Sequence, residues 1–87
     1  MVWGRKDERP PLQRALEAAA GLKAGSWESV EALAMLAIEA KGQPEARKFY
    51  DSAAGAAMRL SQGSWESVRA LTWLARAGRE LDLEGLR

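Results

Sequence analysis

The residues best suited to chemistry in this chain are two carboxylates three apart, Glu28 and Glu31, and six serines. An E-x-x-E pair on one helix face can help hold a metal, and a serine hydroxyl can attack a substrate when a base stands beside it. Both uses need partners that the sequence lacks. There is no His and no Cys, which removes the usual general base, the thiol nucleophile and the imidazole ligand. Di-iron carboxylate bundles also need E-x-x-H, so the Glu28/Glu31 pair reads as a solvated acidic face. Ser26 and Ser64 fall at helix starts, Ser29 and Ser67 in first turns, and Ser52 and Ser61 on a third helix. None has a base nearby in sequence, and no glycine-rich phosphate loop is present. No catalytic residue, metal ligand or cofactor is expected, and the chain is read as a non-enzyme.

The elements that carry these residues are helical. No segment alternates as a strand does, and four segments show helical spacing. Leu12, Ala15, Leu16, Ala19 and Leu22 stripe the first, with Pro10 and Pro11 in its opening turn and Asp7 as a candidate cap. Trp27, Val30, Leu33, Ala34 and Ala37 stripe the second, which Gly42 ends. Pro44 opens the third, with Ala46, Phe49, Tyr50, Ala53, Ala57 and Leu60 on one face. Trp65, Val68, Leu71, Ala75 and Gly78 stripe the fourth.

The six letters GSWESV occur twice, at Gly25–Val30 and Gly63–Val68. They read as helix punctuation. Gly takes the left-handed position past one helix, Ser caps the next, and Trp packs against the helix before. Glu28 and Glu66 then favour the positive end of the dipole, which argues against an anion site at these helix starts. The likeness continues at an offset of 38. Ala15, Ala18, Ala19, Leu22, Ala32, Leu33, Leu36 and Ala37 meet Ala53, Ala56, Ala57, Leu60, Ala70, Leu71, Leu74 and Ala75, giving 14 identities between residues 12–41 and 50–79. One helical hairpin is used twice. Trp27 and Trp65 are expected in equivalent, mostly buried positions, and Gly55 at a close helix contact. The fold class follows as all-α: four antiparallel helices built from two similar hairpins. The expected organisation is an N-terminal arm over 1–11, a helical domain over 12–81 with repeats 12–42 and 44–81, and a C-terminal segment over 82–87. Leu81, Leu83 and Leu86 extend the last helix or cover it.

The pattern resembles a tetratricopeptide repeat. In that family one helix ends in Gly, a polar cap and an aromatic follow, and the second helix opens with a small residue a few positions on. Gly25-Ser26-Trp27-Glu28-Ser29-Val30 and its second copy correspond, and Pro44 falls near the family's inter-repeat proline. The period of 38 is longer than the family's 34, Val30 and Val68 stand where the family prefers Ala, and the aromatic–Leu–Gly signature of the first helix is absent. The resemblance implies a pair of tetratricopeptide-type helical hairpins over most of residues 12–80.

Composition narrows the function. With 13 basic and 12 acidic residues the net charge is +1, and neither half of the chain carries the one-sided basic charge of a nucleic-acid binder. No apolar run approaches the ~20 residues of a membrane span, and the opening residues lack a signal-peptide apolar region; a cytoplasmic protein is expected. The absence of Asn and Cys and the nine Arg to four Lys fit a thermophile, and fit equally a GC-rich genome.

Binding remains. Counting about 100° per residue, Trp73 projects between Arg69, Glu66 and Arg76, off the apolar sector of the fourth helix. It packs under a neighbouring segment or anchors a partner, a role for which Trp and Arg are enriched. Met35 holds the matching place in the first repeat, and Trp3 stands alone in the N-terminal arm. Trp73, Arg69, Arg76, Trp3 and Met35 are the candidate interface residues. The expected function is a non-catalytic protein–protein interaction module or small adaptor subunit. The alternative is a helical subunit of a nucleoprotein complex contacting phosphates through Arg47, Lys48, Arg59, Arg69, Arg76 and Arg79. Since stacked hairpins need three or more units to bury their faces, a homodimer is expected, in which Trp73 finds a partner surface and Arg69 or Arg76 meets Glu31 or Glu39 of the other chain.

Overall fold

In a computed structural model of the protein, described over residues 8–83, the chain forms four helices and is all-α: α1 (Pro11–Ala20), α2 (Trp27–Glu39), α3 (Pro44–Arg59) and α4 (Trp65–Glu80). Local chemistry sets the ends. Pro11 and Pro44 occupy first helical positions, where a missing N–H costs nothing. The starts of α2 and α4 are closed by reciprocal serine boxes. Ser26 Oγ accepts from the Ser29 amide at 3.2 Å, and Ser29 Oγ accepts from the Ser26 amide at 3.0 Å. Ser64 and Ser67 repeat this at 3.1 and 3.2 Å, and Ser67 Oγ also accepts from the Gly63 amide at 3.3 Å. Each box satisfies two of the amides that a helix start leaves without partners. At the far end of α4, Asp82 adopts a left-handed φ of 60°. Its amide donates to the Arg79 carbonyl at 3.0 Å, and the Leu83 amide to Gly78 at 2.7 Å, a Schellman closure. Asp7, Trp3 and Leu86 lie outside the described residues.

Directions follow from contacts. The indole of Trp27, at the start of α2, donates to the Ser61 carbonyl just past the end of α3, at 2.9 Å. α3 therefore runs back along α2. Glu31 pairs with Arg69 near the starts of α2 and α4, and Lys41 with Glu80 near their ends, so these two helices run the same way. Open clefts separate α1 from α3, one lined by Leu16 and Glu45 and one by Ala20 and Lys48. α2 is the central element and touches the other three, while α1 touches α2 alone and buries none of its residues.

The core is thin. Val30, Leu33, Ala34 and Ala37 of α2 meet Phe49, Ala53 and Ala56 of α3 and Ala70 and Ala77 of α4. Val30 is the largest fully buried side chain. Alanine allows close helix approach but contributes little apolar area per residue.

Several expectations need correction. α1 and α2 are joined by residues 21–26 and α3 and α4 by 60–64, longer links than a single Gly stop and Ser cap provide. α1 stops early, capped at Gly21. Among the described residues only Gly42 and Gly63 are left-handed glycines, so Gly63 takes the conformation foreseen for it and Gly25 does not. Gly55 marks no tight contact; a Cβ there would meet only the flexible tip of Arg59, at 3.8 Å. The largest correction concerns α4. It packs on the core through Ser67, Ala70, Ala77 and Gly78, of which the expected stripe held only Gly78. Small residues allow α4 to lie close against α2, and Trp65, Val68, Thr72 and Ala75 are turned outward.

Candidate docking face

The outward side of α4 begins with its capping box. The box fixes the first turn, and the first turn sets Trp65. That indole is 84% exposed, and Val68, one turn on, is 51% exposed. Between them and the Gly63 turn lies an open shelf of about 450 Å³ that continues along Leu71. Trp65 is thus neither buried nor equivalent in environment to Trp27, which is half-buried, packs on the core and is hydrogen-bonded to Ser61. Nothing among the described residues lies beyond α4 to cover it as α3 covers α2.

The other end of the molecule carries a second open surface. Leu22 is 74% exposed. With Ala19, Ala32, Leu33 and Leu36 it lines an almost wholly apolar cleft of about 170 Å³ between α1 and α2. Ala15 and Ala18 extend this surface along α1, both exposed.

The residues singled out from sequence are divided among different surroundings. Trp73 is half-buried and packs against the core, with the Arg76 guanidinium carbon 5.5 Å from its ring centroid, a cation–π contact. Arg69 Nε donates to Glu31 Oε2 at 2.9 Å within the same chain. Glu31 is half-buried by this pairing, so it does not belong to a solvated acidic face; Glu28 remains exposed. Met35 is exposed on α2, and Trp3 lies outside the described residues. Arg69 and Arg76, four and eleven residues from Trp65, share its outward side of α4; Trp73 lies on one flank of that side, towards the core, and Val68 on the other. Periodicity had marked Trp65 and Val68 as apolar, but assigned that side to the core.

Among the described residues no group of three His, Cys, Asp or Glu side chains comes together to hold a metal ion, and no helix is long and apolar enough to cross a membrane. The open shelf presents an indole, aliphatic side chains and serine hydroxyls engaged in capping. Comparison with family models, curated proteins and solved structures finds no match for this chain.

Proposed function

We propose that the protein is a non-catalytic interaction module, tetratricopeptide-like in its repeats, that docks a protein partner on the outward face of α4. The observation that carries this reading is Trp65, held rigidly in a capped first turn and 84% exposed beside Val68. Tryptophan is the residue type most enriched where a few side chains dominate binding energy. A role on nucleic acid has less support. Arg69 is paired with Glu31, Arg47 with Asp51 and Lys41 with Glu80, and Arg76 lies on Trp73.

Capture of partners from the source cell by the wild type, beside Trp65→Ser and Val68→Glu, tests the reading. Loss of a defined bound protein in both variants, with melting unchanged, is the expected result. Retention of the same proteins by both variants contradicts it, as does tight RNA or DNA binding with a steep salt slope.

A further inference from the structure

We infer that the outward face of α4 is built to receive the α1–α2 surface of a second copy of this chain, head to tail, repeating the packing of α2 on α3 and α4. The inference rests on the reading of that face as a docking surface and names its partner.

The argument comes from the 38-residue offset and from exposure. On α2 the residues turned to α3 and α4 are Val30, Leu33, Ala34 and Ala37, all buried. Their counterparts on α4 are Val68, Leu71, Thr72 and Ala75, and none is buried. The surface that covers α2 includes Ala53 and Ala56 of α3 and Ser67 and Ala70 of α4, all buried. Their counterparts Ala15, Ala18, Ser29 and Ala32 lie at the opposite end of the molecule, and none of these is buried either. Seven of these eight positions are identical between the two copies, and only Ala34/Thr72 differs; outside these eight, the buried Phe49 and Ala77 have Pro11 and Glu39 as counterparts, both exposed. One half of an interface already formed inside the chain is thus open at each end.

Polar features continue the same way. The Trp27 indole finds the Ser61 carbonyl. Trp65 is the counterpart of Trp27, and Lys23 is the counterpart of Ser61, so a second copy brings the Lys23 carbonyl to the Trp65 indole. Glu31 pairs with Arg69 across α2 and α4. Since Arg69 is the counterpart of Glu31, the next step of the stack places Arg69 against Glu31 of the second copy, and the charges alternate in sign along the stack. Two Glu or two Arg at these positions would have opposed it. Such a contact is heterologous, with different surfaces on the two sides, so it propagates unless the rotation closes a ring. It differs from the homodimer expected from sequence, in which Trp73 finds the partner surface.

Sedimentation equilibrium on the full chain, from micromolar to millimolar concentration, tests the inference. Val68→Glu blocks the α4 side, and Ala18→Glu blocks the α1 side; both positions are exposed, so each variant keeps its fold, which circular dichroism checks. The wild type is expected to gain mass with concentration, and each variant alone to stay a single chain. An equimolar mixture of the two variants is expected to form a dimer and nothing larger, because one intact interface remains. A wild type that stays monomeric throughout overturns the second-copy inference, while the docking face itself still stands if partner capture is lost on Val68→Glu. Association that Val68→Glu abolishes and Ala18→Glu leaves intact means a two-fold contact through α4 and also overturns it.

Discussion

Arg69 Nε lies 2.9 Å from Glu31 Oε2, joining two positions that hold the same place in two copies of one repeat. Opposite charges there tie the starts of α2 and α4 and fix the parallel register of these helices. The Arg69 side chain is largely exposed, so solvent screens the pair and its contribution is modest, about 0.5 kcal/mol. A double-mutant cycle with Glu31→Gln and Arg69→Gln, followed by urea unfolding, is expected to give a coupling of that order that fades in molar salt. A coupling that persists at high salt would show a pair better shielded from water than the exposed Arg69 allows.

The two tryptophans of the repeated hexapeptide are expected to behave differently. Trp27→Ala removes a half-buried ring and its hydrogen bond to Ser61, which costs about 2–4 kcal/mol in a protein of this size. Trp65→Ala removes a ring that touches little, and is expected to change monomer stability by less than about 0.5 kcal/mol. Melting of the two variants in dilute solution compares them. Equal destabilisation would contradict the exposure of Trp65.

The capping boxes make the third serine position as important as the cap itself. Ser26→Ala and Ser64→Ala are each expected to cost about 1 kcal/mol. Ser67→Ala is expected to cost at least as much, since Ser67 Oγ is the acceptor for the Ser64 amide and also for Gly63, and the residue is buried. Chemical denaturation ranks them. A neutral Ser67→Ala would remove the box from the account of the α4 start.

Much of the fold was legible in the sequence because its signals are local. Pro44, Ser26 and Ser64 mark helix starts by their own backbone chemistry, and helical spacing alone locates all four helices. The orientation of α4 was not legible. Its sequence offers two usable faces, one apolar through Trp65, Val68 and Leu71, and one small through Ser67, Ala70 and Gly78. Periodicity identifies an apolar face but not the neighbour that covers it. The close fit of small residues against α2 decided in favour of the second face. Gly25 misled for a similar reason: identical letters at Gly25 and Gly63 sit behind helices that end differently, so only Gly63 needs the left-handed backbone. The docking face had one sequence signal, the repeat itself.

A concentration series followed by amide and indole N–H resonances tests the head-to-tail contact between this face and a second copy most directly. The predicted result is that the Trp65 indole and the amides of Val68 and Leu71 shift as concentration rises, together with Ala15, Ala18 and Ala32 at the other end, while the Trp73 indole stays in place. Shifts centred on Trp73, Arg76 and Met35, or none at Trp65 at any concentration, would contradict it.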